Sequence, residues 1–188
     1  MDPSEFGMLV QQLLTIFACS YTLAAPVETD AVREPTPEGL VSDLSTLQTS
    51  LKAMTKAVSA YNGGLSGVSA INTASKTVNT AIARMDDDAE SVQLTDAVKA
   101  QPVLQAIIDT EPVIQETLDS IVSKKKTFSN ALRPKVSTAL DKLVVNTLSL
   151  GRKLEAGSTP DFAPKLRAET DKLEDSFQKA QTDFKSKQ

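Results

Sequence analysis

Apolar residues recur at alternating steps of four and three in the stretch that follows Gly39, and this spacing lines one face of an α-helix. The residues of this face are Leu40, Leu44, Leu47, Leu51, Met54, Val58 and Tyr61. The pattern ends at Asn62-Gly63-Gly64, where glycine can adopt the left-handed conformation that terminates helices. The sequence therefore predicts a first amphipathic helix from about residue 39 to residue 61.

Two further periodic stretches precede residue 124. The first covers about residues 66–85 and has fewer bulky apolar residues than the first helix; its inward face consists of Val68, Ile71, Val78, Ile82 and Met85. The second covers about residues 94–123 and contains Pro102 and Pro112. Because a proline lacks a backbone donor and crowds the preceding turn, we expect this third helix to be kinked or split.

The remaining chain shows two more helical patterns. A fourth helix has Pro134 near its start and Gly157 after its end, and a fifth begins around Asp161 and Pro164. Their apolar faces are Phe128, Leu132, Val136, Leu140, Leu143, Val144, Leu148 and Leu154 in the fourth helix and Phe162, Leu166, Leu173, Phe177, Ala180 and Phe184 in the fifth. Five amphipathic helices with short connections predict an all-α fold: a single bundle over residues 39–188, with one or two helices kinked at proline.

Two runs of like charge lie between the predicted helices. Asp86-Asp87-Asp88 puts carboxylates where a helix C-terminus disfavours them, so we expect this run to end the second helix or to precede the third as a solvated linker. Consecutive aspartates lack the alternating ligand geometry of a calcium loop, so no metal site is predicted. Lys124-Lys125-Lys126 is expected to be a solvated cap that complements a helix dipole; the alternative is a contact for anionic head groups or a carboxylate.

The N-terminal region differs in character from the predicted bundle. From Met8 the sequence MLVQQLLTIFACSYTLAAPVE is apolar, too short to span a bilayer comfortably, and ends in small residues before a proline. We interpret residues 1–24 as a signal peptide-like segment cleaved after Ala24, with residues 1–7, MDPSEFG, consistent with an added leader. A buried or membrane-embedded first helix is the alternative. Residues 25–38 hold three prolines and five charges and are predicted to be an extended leader.

Composition excludes several classes of function. The chain of 188 residues has no histidine, no tryptophan and a single cysteine, Cys19. The commonest general base and transition-metal ligand are therefore missing, and no disulfide framework can form, so we predict no catalytic residues, no metal, no cofactor and no enzymatic activity. The 20 basic residues are scattered among 24 acidic ones, which gives nucleic-acid binding little support.

The order of these features resembles the fungal hydrophobic surface-binding protein A family, which also includes cell-wall mannoproteins. The resemblance covers about residues 40–157, and none of its motifs is catalytic. The matching features are Ala60-Tyr61-Asn62-Gly63-Gly64, the stretch from Ile71 to Ile82, Glu111-Pro112-Val113-Ile114 with Leu118, Val122-Ser123-Lys124-Lys125 with Phe128, and Leu140-Asp141-Lys142-Leu143. It implies a secreted, extracellular helical bundle that adsorbs to hydrophobic surfaces, recruits lipid- or polyester-degrading enzymes in some members and encloses a fatty acid in others. The chain has no Ser/Thr-rich stalk or anchor signal of the cell-wall members, which puts cell-wall attachment in doubt.

Two hypotheses follow for the apolar helix faces. In the first, the bundle binds a fatty acid or other lipid in a tunnel between helices, with flexible methionines adapting to the chain. The predicted apolar wall consists of Leu47, Leu51, Met54, Val58, Val78, Ile82, Ile114, Leu118, Leu140, Val144 and Phe177. In the second, the helices part, adsorb to a hydrophobic surface and dock a secreted esterase or cutinase. Ordinary core packing is the alternative for every one of these wall residues.

Overall fold

A computed structural model of the chain describes residues 35–129 and 132–186. The predicted signal peptide-like segment, residues 1–24, and most of the predicted leader lie outside these residues. The helices of the described part are α1 (Pro37–Ser59), α2 (Leu65–Ala89), α3 (Ala97–Ser123), α4 (Arg133–Ala156) and α5 (Ala163–Lys185). The predicted all-α class and the five-helix bundle are confirmed.

The N-terminus of α1 is fixed two residues earlier than the hydrophobic pattern indicates. The Thr36 hydroxyl accepts a hydrogen bond from the Gly39 amide at 3.0 Å, and Pro37 occupies the first turn of the helix. A capping threonine followed by proline satisfies an unpaired amide and presets the helical φ angle. At the other end, Gly63 and Gly64 have φ values of 96° and 90°, so the turn from α1 to α2 needs the left-handed conformation that the sequence predicts there.

The aspartate run Asp86–Asp88 is helical and belongs to the last turns of α2, so it ends that helix rather than forming a linker. Lys153 of α4 compensates the negative charge, since its Nζ lies 2.7 Å from Asp86 Oδ2. Helix α3 likewise runs unbroken through Pro102 and Pro112 and is not split. Both prolines are exposed, so the carbonyls that lose their helical partners lie on the solvent side.

The helices form a closed ring in which each contacts two neighbours, in the order α1, α2, α4, α5, α3 and back to α1. Within the described residues no helix contacts another across the ring. The side-chain bonds give the orientation: α1 and α3 run parallel, because Gln48 pairs with Thr110, Thr55 with Thr117 and Ser59 with Ser120. The pairs α2–α4 and α3–α5 are also parallel, whereas α4 and α5 are antiparallel.

Candidate functional site

The ring of helices encloses a narrow apolar cavity along its axis, called the axial cavity below. The volume open to the centre of a water-sized sphere is about 70 Å³. All five helices contribute to its wall: Leu40, Leu44, Leu47 and Leu51 from α1; Val78, Ile82 and Met85 from α2; Val103, Ile107, Thr110, Ile114, Thr117, Leu118 and Ile121 from α3; Leu143, Thr147, Leu150, Gly151 and Leu154 from α4; and Thr170, Leu173 and Phe177 from α5. The wall residues of α1 span about 16 Å at a rise of 1.5 Å per residue.

Among the described residues no charged side chain lines the axial cavity, and four threonines supply its polar side-chain atoms. Three of these hydroxyls donate to a backbone carbonyl of their own helix: Thr110 to Ala106 at 2.6 Å, Thr117 to Val113 at 2.8 Å and Thr170 to Leu166 at 2.9 Å. A hydroxyl that is satisfied in this way adds little polarity to the wall. The cavity therefore suits a hydrocarbon chain better than a polar solute.

The structure places seven of the eleven predicted wall residues around the axial cavity: Leu47, Leu51, Val78, Ile82, Ile114, Leu118 and Phe177. Met54, Val58 and Leu140 are buried outside the lining, and Val144 is half-buried. Met54 and Val58 lie closer to the C-terminus of α1 than the wall residues of that helix, and Leu140 lies closer to the N-terminus of α4 than the wall residues of that helix. All three are therefore at the end of the bundle where side chains fill the space between the helices.

Sequence reasoning missed the opposite end of the lining. Met85 lies one turn beyond Ile82, whereas Leu40, Val103 and Leu154 lie about two to three turns from the nearest predicted wall residue of their own helix. Gly151 is the one local signal that marks this level. A Cβ atom there would lie 2.4 Å from Thr170 Oγ1, so the glycine lets α4 and α5 approach closely beside the cavity. Glycine inside a helix costs roughly 0.5–1 kcal/mol relative to alanine, which suggests that this close approach is needed.

Three aromatic side chains close one end of the bundle, and we call them the aromatic plug. The rings of Tyr61 and Phe128 are stacked with centroids 5.3 Å apart, and those of Phe128 and Phe184 lie 6.2 Å apart. All three side chains are buried. Phe184 is two helical turns beyond Phe177, the last wall residue of α5, so the plug lies past the end of the axial cavity.

Ion pairs hold the helix ends at the other end of the bundle. Lys153 of α4 donates to the Asp86 carboxylate and to its backbone carbonyl, and this hydrogen bond raises the pKa of Lys153. Arg167 of α5 donates to Glu155 of α4 and lowers the pKa of that carboxyl. These pairs lie away from the axial cavity, so they position helices and do not act on its contents.

A shallower, polar groove opens between α1 and α2. Its volume by the same measure is about 340 Å³, and it is lined by Asp43, Thr46, Ser50, Lys76, Thr77, Thr80, Ala81 and Arg84. Arg84 Nε lies 3.9 Å from the buried Asp43 carboxylate. The interface between α1 and α2 is therefore less completely filled than the interface between α1 and α3.

Two negative findings concern the part of the chain that the structure describes. None of its helices is both long and apolar enough to cross a membrane. It also holds no group of three or more histidine, cysteine, aspartate or glutamate side chains arranged to take a metal ion.

These features define an all-α bundle that surrounds an apolar internal cavity. A family model described as "Hydrophobic surface binding protein A" matches residues 39–156, well over half of the chain. The chain belongs to the hydrophobic surface binding protein A family, and the resemblance drawn from its motifs is confirmed. Among curated proteins, none matches the chain significantly.

Solved structures of similar fold are known with ligands. The protein AFMP4P, in complex with palmitic acid, is 24% identical with a TM-score of 0.75, and the match covers 79% of this chain and 99% of that chain. Ligand binding domain 1 of the Penicillium marneffei MP1 protein, complexed with arachidonic acids, is 16% identical with a TM-score of 0.71 and coverage of 82% and 100%. Its ligand binding domain 2, complexed with multiple arachidonic acids, is 14% identical with a TM-score of 0.69 and coverage of 80% and 94%. These likenesses establish the fold.

Proposed function

We propose that the protein is a non-enzymatic carrier that binds the acyl chain of a fatty acid or other lipid in the axial cavity. One observation carries this proposal: an uncharged, elongated cavity runs between all five helices. Its length of about 16 Å along α1 matches the roughly 15 Å depth of one acyl layer, half of a bilayer core of about 30 Å. The palmitic and arachidonic acids bound by proteins of the same fold support the same ligand class.

The cavity must widen to hold such a chain. Its present 70 Å³ corresponds to the room of a few water molecules, given that one water needs roughly 10–15 Å³ by this measure. Widening is plausible on two grounds. The described helices do not contact one another across the ring, and Met85, with three rotatable bonds and a fully buried side chain, can change shape without leaving the wall.

The absence of charge in the wall supports a binding role rather than a catalytic one. Catalytic sites bring acids, bases or nucleophiles together in a cleft and shift their pKa values. Here the shifted groups all belong to ion pairs on helix surfaces: Lys153, Glu155 and Arg167 pair between helices, and Lys172 pairs with Glu169 of its own helix. Hydrolysis of a model ester by the purified protein alone would contradict this part of the proposal.

Ligand binding is tested by filling the cavity from one side. In Val78→Phe the added ring enters the axial cavity, so retention of a fluorescent fatty acid should weaken by at least about tenfold. Val144→Phe is the matched control, since it adds the same volume outside the lining and should leave affinity within about twofold. Native mass spectrometry of protein purified without added lipid should show a bound acyl species in the wild type. Equal loss in both variants, or no saturable binding by the wild type, would refute the proposal.

A second candidate function is adsorption to hydrophobic surfaces, which the family description favours, followed by docking of a secreted esterase. Adsorption through inner helix faces requires the ring to open. The hydroxyls of Thr55 and Thr117 lie 2.9 Å apart, so cysteines at these positions can lock α1 to α3 by a disulfide once Cys19 is replaced by serine. The oxidised variant should then be depleted by polystyrene beads less than the same variant after reduction. Identical depletion in the two redox states would argue against opening of the ring at this interface.

Secretion forms part of the same proposal. Expression of the full chain in a secreting eukaryotic host should release a product that begins at Ala25, as N-terminal sequencing can check. A product that retains residues 1–24 in the cell would contradict the signal assignment. Association with the cell wall is a further extension, and extraction of intact walls with detergent tests it.

A further inference from the structure

Positive charge is concentrated at the end of the bundle where α1, α3 and α5 terminate, and we call this the basic end. Between Asp119 and Asp141 the sequence has no acidic residue; its basic residues there are Lys124, Lys125, Lys126, Arg133 and Lys135. Lys185 at the end of α5 adds one more cation. Because the chain as a whole carries a net charge of −4, the basic end is a local segregation of charge and not an overall excess.

Part of this charge supports the fold. Lys124 Nζ donates to the Tyr61 carbonyl at 2.9 Å, and Lys125 Nζ donates to the Asp183 carbonyl at 2.9 Å. These carbonyls lie at the C-terminal ends of α1 and α5, where unpaired acceptors and the helix dipole favour cations. The lysine run is therefore a cap, as the sequence suggests, but it caps the two helices that flank α3.

Two further cations also have partners within the fold, because Arg133 Nε donates to the Phe128 carbonyl at 3.2 Å and Lys185 Nζ lies 3.3 Å from Asp141 Oδ1. Arg133 and Lys135 are the first and third residues of α4, and the first turn of that helix has no acidic residue. A helix N-terminus already carries partial positive charge, so cations are unfavourable there. Lys126 is also exposed. The partial positive charge of the α4 N-terminus therefore adds to the positive charge of these side chains at the basic end.

The surface between these cations is concave. An open groove of about 550 Å³ is bordered by Lys125, Arg133 and Lys185, and Phe184 of the aromatic plug lines it as well. The groove and the axial cavity therefore lie on opposite sides of the plug. A surface that contacts the groove would be separated from the cavity by the three aromatic rings.

We propose that the basic end docks onto the surface of a bilayer that contains anionic head groups. Clusters of four to eight lysine and arginine residues are attracted to such surfaces, and the attraction falls off within a Debye length. In this orientation the plugged end of the axial cavity faces the lipid. Docking does not require an occupied cavity, so the proposal stands apart from acyl-chain binding.

The test is co-sedimentation of the full chain with phosphatidylcholine vesicles, with and without phosphatidylglycerol. Binding should need the anionic lipid, and it should fall when salt rises from about 0.1 M to about 1 M, where the Debye length drops from about 10 Å to about 3 Å. Removing two charges in Lys126→Gln/Lys185→Gln should weaken partitioning by about tenfold or more.

The control variant, Lys99→Gln/Arg152→Gln, removes two exposed charges at the opposite end and should leave partitioning within about twofold. Unchanged far-ultraviolet circular dichroism and fatty-acid retention show that both variants are folded. Equal binding to vesicles with and without phosphatidylglycerol would overturn the proposal, and so would equal weakening by the two variants. Loss of fatty-acid binding with intact vesicle binding would count against the axial cavity and not against the basic end.

Discussion

The two interfaces that α1 forms in the ring differ in kind. Toward α3, three pairs of polar side chains bridge the helices at Gln48–Thr110, Thr55–Thr117 and Ser59–Ser120, with bond lengths of 3.0, 2.9 and 3.0 Å. We call these pairs the polar seam. Toward α2, no residue from 66 to 77 is fully buried, although Val68, Ile71 and Ala74 pack partly against the core.

Only the second half of α2 is firmly held. Val78, Ile82, Met85 and Ala89 are buried, and Asp86 is bonded to Lys153. The first half follows Gly63 and Gly64, around which a Cβ atom would meet open space. The difference teaches that one ring can combine a rigid wall, α1 with α3, and a helix segment with few buried contacts, which adjoins the axial cavity but does not line it.

The largest expected effect comes from truncating one side chain in each region. Leu118→Ala on α3 removes a buried side chain and should lower the free energy of unfolding by about 2–5 kcal/mol. Ile71→Ala in the first half of α2 should cost about 1 kcal/mol, because its side chain is only half-buried. Urea unfolding at equilibrium measures both. Comparable losses would mean that the first half of α2 is packed as firmly as α3.

Hydrogen exchange should show the same contrast without mutation. Amides of residues 66–77 should exchange at least about tenfold faster than those facing the polar seam, since segments with few buried apolar contacts open locally at lower free energy. Added fatty acid should slow exchange most near Val78, Ile82 and Met85, which line the axial cavity. Uniform protection along α2 would contradict the comparison.

The polar seam itself can be weakened in steps. Thr117→Val leaves the Thr55 hydroxyl without its partner across the interface and should cost about 1 kcal/mol. In Thr55→Val/Thr117→Val no unpaired hydroxyl remains, so part of that loss should be recovered. A double-mutant cycle on unfolding free energies gives the coupling. Strict additivity of the two single losses would show that this pair does not contribute to the rigid wall.

The smallest effect concerns the ion pair that anchors the second half of α2. Asp86→Asn removes the carboxylate that raises the pKa of Lys153. Backbone amides near the end of α2 should then exchange their hydrogens faster. Because the pKa of Lys153 is raised on folding, its contribution is fully present below the ordinary lysine pKa of about 10.4 and is lost as pH rises through the raised value. The stability difference between wild type and Asp86→Asn should therefore vanish at strongly alkaline pH. A difference that persists there would point to packing and not to the charge of Lys153.

Much of this architecture is predictable from the sequence, because amphipathic spacing reports which face of a helix is buried. Leu47, Ile82, Leu118 and Phe177 were assigned to the inner faces on that basis, and they are buried. Spacing along one helix does not report which level of the bundle is filled. The difference between Val58, which is packed, and Leu44, which lines the cavity, depends on the side chains that four other helices bring to the same level.

Partner choice is a second property that single-helix patterns do not contain. The interaction of Asp86 with Lys153 joins residues 67 positions apart, and the carbonyls capped by Lys124 and Lys125 belong to α1 and α5. Such pairings depend on the ring order, in which α1 lies beside α3 and α4 lies beside α2. The charge runs were recognisable in the sequence, but their acceptors became identifiable only from that order.

The parallel alignment of α1 and α3 also has a consequence for how quickly the chain folds. Their contacts join residues about 62 positions apart, because the chain must pass through all of α2 before the two helices can meet. A bundle made of successive antiparallel hairpins forms its interfaces between sequence neighbours and folds rapidly for that reason. This ring, with three parallel interfaces, has to close long loops first. We expect it to refold more slowly than an up-and-down bundle of similar size, with the polar seam forming late.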